Sequence, residues 1–151
     1  MRKLYLLLIF VAGVAAIGTG FRYMLTSEFM PYHSEVVGKD WSALEPGVQA
    51  IVLGLLRIVG GAFIAFGITA LWMLVPLKAG VRWSRLALLT ITLSLWGPTL
   101  YVTLAIRAFA PKAQTPVAPT LVMLTLIGAG LLLSLREGQV SKGFDQSRRL
   151  F

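Results

Sequence analysis

Four long, almost uninterrupted apolar segments dominate the sequence. They run from Leu4 to Leu25, from Val48 to Val75, from Trp83 to Ala110 and from about Pro119 to Leu135. A helix needs about 20 apolar residues, with a range of roughly 17 to 25, to cross about 30 Å of hydrocarbon. In lipid such a segment must be helical, because only a helix satisfies its backbone internally, and the absence of period-two alternation argues against a β-barrel. The sequence predicts an all-α polytopic membrane protein: one domain, residues 1–151, folded as a four-transmembrane-helix bundle.

The composition excludes several classes of function. Hydrophobic residues make up 57% of the chain and charged residues 13%, whereas soluble domains carry about 25% charge. The absence of cysteine excludes disulfides, iron–sulfur clusters and thiolate-bound zinc. The net charge of +8 lies on no soluble basic face, so no nucleic-acid partner is expected.

The charges are distributed unequally between the two sides of the predicted bundle. Four of the six acids (Glu28, Glu35, Asp40 and Glu45) fall in the first loop, residues 26–47. The opposite side receives most of the basic residues: Arg2, Lys3, Lys78, Arg82, Arg85, Arg136, Lys142, Arg148 and Arg149. The positive-inside rule then predicts cytoplasmic termini, a cytoplasmic tail at 136–151 and an outer loop at 26–47.

A cleaved signal peptide is the alternative interpretation of the first segment. Arg2 and Lys3 would form its charged start, and "VAGVAA" would hold the cleavage site. The apolar character continues to Leu25, however, beyond the usual length of such a region. The transmembrane interpretation is therefore favoured.

Small residues at spacings of four indicate where helices approach each other closely. Ala12, Ala16 and Gly20 form one such stripe. A second stripe, predicted to face it, comprises Gly61, Ala65 and Thr69. Gly128, Ala129 and Gly130 favour a further close approach in the fourth segment, and Pro98 predicts a kink in the third.

The first loop has helix start and stop residues of its own. Pro31 favours a short helix over about Tyr32 to Val37, and Gly38 favours its end. "SALE", Ser42 to Glu45, has the spacing of a capping box before the second segment. The loop is therefore predicted to be an ordered cap on the membrane surface.

Arg57 is the charge whose placement is most informative. As a helix, Val48 to Val75 would extend roughly 42 Å, about 12 Å more than the hydrocarbon core. Arg57 therefore either lies at the outer boundary, where it can snorkel, or lies in the bilayer and needs a partner. An ion pair with an acid of the first loop is the structural alternative, and an anionic ligand is the functional one.

The other candidate ligand-binding residues are His33, Glu35, Tyr101 and Trp96. Trp96 and Tyr101 flank Pro98, where a kink would open a cavity. His33 with Met30 offers soft metal ligands, but one histidine with scattered methionines does not complete a site. No metal, no cofactor and no catalytic residue are predicted.

The segment "LLRIVGGAFIAFGITAL", Leu55 to Leu71, places an arginine before paired glycines in a helix. With the four-segment plan, it resembles the small bacterial DoxX-like integral membrane proteins. The resemblance implies a four-helix membrane bundle and no particular reaction.

Two functional hypotheses follow. The first is a non-enzymatic integral protein of a bacterial inner (cytoplasmic) membrane, an accessory subunit or small-ligand binder that works through its outer face. Its partners would be the lipid bilayer and either another membrane subunit or further copies of the chain. The second is a membrane enzyme or carrier with an outer-leaflet pocket for an anionic or quinone-like ligand.

The predicted topology has a direct test, because the chain contains no cysteine. Ser34→Cys and Gln114→Cys should be labelled by a membrane-impermeant maleimide in intact cells, since both positions would face outward. Ala79→Cys should react only after the membrane is permeabilised. The opposite labelling pattern would invert the topology.

Overall fold

The computed structural model describes residues 2–148, with side chains up to Glu137. The helices are α1 (Arg2–Leu25), α2 (Pro31–Val37), α3 (Pro46–Lys78), α4 (Arg82–Phe109) and α5 (Val117–Arg148), with a 3-10 turn at Trp41–Ala43. No strand occurs within this described range. The all-α fold class is confirmed. Side chains of the tail beyond Glu137, including those of Lys142 and Arg148, lie outside the described residues, as does all of Arg149.

Four helices are long and apolar enough to cross a membrane: α1, α3, α4 and the Val117–Glu137 part of α5. Their limits lie close to those predicted from the apolar segments. Helix α3 contains Pro76 and continues to Lys78. Helix α4 runs through Pro98 and ends at Phe109, two residues before Pro111. Helix α5 starts two residues before Pro119 and extends past Glu137 as backbone.

The four long helices form a ring. Helix α1 packs against α3 and α5, and α4 packs against the same two helices, with the most extensive interface between α1 and α3. Loop 26–45 and loop 110–116 lie at one end of this ring, called here the α2 end. The N-terminus and the turn 79–81 lie at the other, called here the N-terminal end.

Glycines bring the backbones of α1 and α3 into direct contact. A Cβ atom built on Gly20 would lie 2.6 Å from the carbonyl oxygen of Gly60, and one built on Gly67 would lie 2.5 Å from that of Gly13. Gly13 therefore lies beside Gly67 and Gly20 beside Gly60, which makes the two helices antiparallel. In α1, Gly13 and Gly20 are seven residues apart, and so are Gly60 and Gly67 in α3. This spacing keeps one face of each helix towards its partner.

The predicted small-residue stripe of α3 was wrong, because the contact with α1 uses Gly60 and Gly67 instead. Gly60 and Gly67 are buried, whereas Gly61 is partly buried and Ala65 is exposed. Thr69 donates its hydroxyl to the carbonyl oxygen of Ala65 in its own helix, at 2.7 Å. On α1 the predicted stripe is buried, at Ala12, Ala16 and Gly20.

The close approach predicted for α5 occurs at one of its two glycines. A Cβ on Gly130 would lie 2.9 Å from Ile9 Cγ1 of α1. A Cβ on Gly128 would meet nothing within 4 Å. Gly130 therefore admits α1, while Gly128 faces open space.

Among the described residues, the buried serine and threonine hydroxyls bond to carbonyls of their own helix or of the residue just before it. Each of the five buried serine and threonine hydroxyls donates to a carbonyl three or four residues earlier, at 2.6–3.0 Å. These residues are Ser84, Thr92, Thr103, Thr120 and Ser134. Between helices, Arg85 Nη2 donates to the carbonyl oxygen of Ser134 at 2.9 Å, which connects α4 with α5.

Large apolar side chains cover the outside of the ring. Ile58, Trp72, Val75 and Leu86 are about 70% exposed, and many other aliphatic and aromatic residues are at least 40% exposed. A soluble monomer rarely presents a continuous apolar surface of this extent. The outer surface is therefore suited to contact with lipid chains or with another apolar protein.

The glycine contact between α1 and α3 is directly testable. Gly67→Ala should lower the free energy of unfolding by about 1–3 kcal/mol, because its methyl group would press on the Gly13 carbonyl. Gly128→Ala is the matched control, and it should leave stability unchanged or raise it slightly because alanine favours helix. Thermal unfolding midpoints in detergent measure both. Equal midpoints for the two variants would contradict the close contact.

Candidate functional site

The segment from Phe29 to Glu45 folds as a cap on the α2 end. Helix α2 begins at Pro31, as predicted, and ends at Gly38, whose φ of 68° suits glycine. The backbone N–H of Met30 donates to Nδ1 of His33 at 3.2 Å, while the N–H of His33 donates to the Met30 carbonyl at 2.8 Å. The imidazole of His33 thus accepts a backbone N–H at the start of α2, next to Pro31 in the first helical position.

Helix α3 begins differently from the prediction. Glu45 occupies the N-cap position and Pro46 the first helical position, and no side chain caps the helix. The predicted capping serine, Ser42, lies instead inside the 3-10 turn. Gln49 connects this turn to α3, because its Nε2 donates to the Trp41 carbonyl at 2.8 Å.

An aromatic cluster holds the cap together. Phe29 is 7% exposed. Its ring meets the imidazole of His33 edge-on at 6.0 Å and the indole of Trp41 at 5.1 Å. The His33 ring also packs on Tyr32 at 4.1 Å. Phe29 therefore joins α2 and the 3-10 turn into one unit.

Two polar contacts attach the cap to the rest of the bundle. The hydroxyls of Tyr32 and Tyr23 lie 3.3 Å apart, which connects α2 with α1. Burial, and then the hydrogen bond to Tyr23, raise the pKa of the Tyr32 phenol. Glu35 Oε2 accepts the backbone N–H of Gln114 at 3.1 Å, which connects α2 with the loop between α4 and α5.

A cavity of about 320 Å³ lies beneath this cap. One face of α3 forms its floor: Val48, Val52, Leu55, Leu56 and Val59. The cap contributes Phe29, His33, Val36, Val37 and Leu44, and α4 contributes Ile106. His33 is the only ionisable residue in this lining, so the cavity is almost wholly aliphatic and aromatic.

His33 is held in its neutral form. Burial lowers the pKa of its imidazole, and the acceptor role of Nδ1 towards Met30 N–H requires an unprotonated Nδ1. In the neutral ring the proton is then on Nε2. The site therefore combines an apolar cavity with one neutral imidazole in its lining.

A second, polar hollow of about 290 Å³ lies on the other side of Phe29. Glu28, Ser34 and Asp40 are among the residues that line it. Within the described residues, no group of three or more metal-ligating side chains occurs. This hollow therefore presents two carboxylates without the ligand set of a metal site.

The structure does not gather the five predicted site residues at one place. Of these, only His33 lines the cavity. Glu35 and Arg57 are exposed, and Glu35 serves as the acceptor for Gln114. Tyr101 is 74% exposed on α4.

Trp96 lies in the middle of the bundle. It is 4% exposed and packs on Phe63 and Phe66 with ring centroids 5.1 and 5.9 Å away. Its Nε1 atom is buried without a hydrogen-bond partner. Trp96 is thus part of the core between α3 and α4.

The sequence interpretation missed the aliphatic floor of the cavity. Val48, Val52, Leu55 and Val59 recur at helical spacing, so they share one face of α3. The pattern is identical to that of a lipid-facing helix. The indication that it had another role was the excess length of α3, whose first turns extend beyond the core and beneath the cap.

Comparison with known proteins gave no match for this chain, whether against protein-family models, curated proteins or solved structures.

The neutral state of His33 predicts a pH-dependent cap. Because its folded pKa is depressed, the stability that it contributes is present above the unfolded-state pKa of about 6.5 and is lost as the pH falls through the lower folded value. Protonation removes the acceptor for Met30 N–H, so the protection factors of the α2 amides, which correct for the slower intrinsic exchange in acid, should be lower in mildly acidic buffer than at neutral pH. Hydrogen exchange measures this loss.

His33→Gln is the matched control for this experiment, because an amide oxygen can accept the Met30 N–H but does not titrate in this range. Its α2 protection should not respond to the same acidification. The imidazole signal of the sole histidine gives the pKa directly by NMR. A value at or above 6.5 would contradict the buried, neutral ring.

Proposed function

We propose that this chain is an integral membrane protein of a bacterial inner membrane, with both termini in the cytoplasm. Four helices of sufficient length, an apolar outer surface and the basic residues at the N-terminal end support this proposal. So does the resemblance of the α3 sequence to DoxX-like proteins. The α2 end would then face away from the cytoplasm.

Within that membrane, the proposed function is non-enzymatic binding of a small apolar ligand at the α2 end. The observation that carries this proposal is the cavity between the cap and α3, lined almost entirely by apolar side chains. Its volume of about 320 Å³ is at the lower limit of roughly 300–1,000 Å³ for ligand sites. Such a cavity accommodates a ring or a short branched chain.

The lining favours an uncharged ligand over an anionic one. An anion in this cavity would lose its hydration without gaining a cation, because Arg57 is exposed and does not line it. The neutral imidazole of His33 retains one N–H donor, which suits a carbonyl, ether or hydroxyl oxygen on an apolar body. Of the ligands considered from the sequence, the quinone-like class fits this arrangement best.

An enzyme or carrier that uses a quinone-like ligand is the second candidate. The His33 donor supports it, since hydrogen bonding to a quinone oxygen is what such a site requires. No residue that lines the cavity supplies a carboxylate for proton transfer. Binding without chemistry therefore remains the favoured function.

Filling the cavity tests the proposal. Val52→Phe places a larger ring in the floor, while Ile58→Phe makes the same kind of change at a 71% exposed position of α3 that does not line the cavity. Small molecules extracted from the detergent-purified proteins should include an apolar species that wild type and Ile58→Phe retain. The amount of this species recovered with Val52→Phe should be at least tenfold lower than with wild type, because the added ring occupies the space of the ligand.

Mass spectrometry of the extracts measures the difference, with unfolding midpoints as a check on folding. Equal retention by Val52→Phe and wild type would refute ligand binding in the cavity. Recovery of a second polypeptide in stoichiometric amount, without any such species, would favour the accessory-subunit hypothesis instead.

A further inference from the structure

A further concave surface, separate from the two at the α2 end, lies between α1 and α3 at the N-terminal end of the bundle. It encloses about 540 Å³. Its walls are apolar side chains of the two helices: Leu6, Leu7, Phe10, Leu74 and Val75. Among the described side chains, its ionisable lining residues are Lys3 and Lys78. We call this surface the lysine groove.

The antiparallel contact of α1 and α3 places the two lysines at one level. Gly13 lies beside Gly67. Ten residues before Gly13 is Lys3, and eleven residues after Gly67 is Lys78. Two lysines on different helices therefore lie at the same end of one groove, and both side chains are exposed.

The protein leaves the walls of the lysine groove uncovered. Leu7 is 55% exposed, Phe10 48% and Val75 74%. The apolar part continues from the lysines towards the middle of both helices, along the direction that a lipid chain takes in a bilayer. Among the residues whose side chains are described, no acid lines the groove, so none of them neutralises the two lysines there.

We propose that the lysine groove binds one anionic phospholipid. Its phosphate lies between the ammonium groups of Lys3 and Lys78, and an acyl chain lies along Leu6, Phe10 and Leu74. The two lysines select negative headgroups, while the apolar walls retain the chain. This site is at the opposite end of the bundle from the cavity beneath the cap, and its existence does not depend on the ligand proposed there.

Charge and shape both contribute to this choice of occupant. A basic residue close to an anionic lipid surface contributes about 1 kcal/mol, which is too little for two exposed lysines alone to hold a soluble phosphate. A tethered acyl chain adds the apolar contact that the groove offers. A zwitterionic lipid fills the same walls but gains less from the two lysines.

Native mass spectrometry in detergent tests the proposal, with phosphatidylglycerol and phosphatidylcholine of identical chains added in equal amounts. The wild-type protein should retain phosphatidylglycerol in preference to phosphatidylcholine. The double variant Lys3→Gln with Lys78→Gln should bind phosphatidylglycerol with an affinity lower by about fivefold for each lysine removed, because each charge contributes that much near an anionic lipid. Phosphatidylcholine binding should change little.

Lys39→Gln with Lys112→Gln is the matched control, since it removes the same charge at the α2 end and leaves the groove intact. This variant should keep the wild-type preference, and equal unfolding midpoints would show that both double variants fold. If both double variants lost the preference for phosphatidylglycerol equally, net charge alone would explain the preference, and the proposed lipid site would be refuted. Displacement of the lipid by an equal concentration of sn-glycerol 3-phosphate would overturn the role of the acyl chain.

Discussion

The backbone contact between α1 and α3 is the constraint on which the rest of the bundle depends. In lipid, the hydrophobic effect does not drive helices together, so association relies on close packing and on hydrogen bonds between helices. The buried serine and threonine hydroxyls here bond to carbonyls of their own helix or of the residue just before it, which leaves packing as the main contribution. Glycines at positions 13, 20, 60 and 67 allow that packing to reach backbone distance. Helices α4 and α5 complete a ring around this pair.

The same pair of helices also separates two chemically different ends. At the α2 end, α3 extends beyond the core, and the cap folds over its first turns, held by the Tyr23–Tyr32 contact and by the Glu35–Gln114 hydrogen bond. The space beneath is apolar, and its ionisable lining residue, His33, is held neutral by burial. At the N-terminal end, the two helices leave an open, lysine-edged surface. An uncharged molecule suits the first environment, and a negatively charged amphiphile suits the second.

Much of the fold could be predicted from the sequence, because the responsible interactions are local. The apolar segments, the Pro31 start and the Gly38 end of α2 depend on neighbouring residues, and their positions are confirmed. The α3 stripe depended on a partner helix. Glycine and small residues recur in several phases along α3, and only the position of α1 selects Gly60 and Gly67. The site depended on long-range placement as well, so Arg57 and Tyr101 were chosen for their chemistry and yet lie on the outside.

Trp96 has a consequence of a different kind. Its indole N–H is enclosed by the rings of Phe63 and Phe66 and meets no acceptor, and an unsatisfied buried donor costs about 1–3 kcal/mol. A single water molecule that entered between α3 and α4 would recover part of that cost, so the donor favours hydration of the bundle interior whenever the two helices separate. Once Trp41, Trp72 and Trp83 are replaced by phenylalanine, the fluorescence of this indole, blue-shifted in dry surroundings and red-shifted in wet ones, would report the hydration of the centre of the protein.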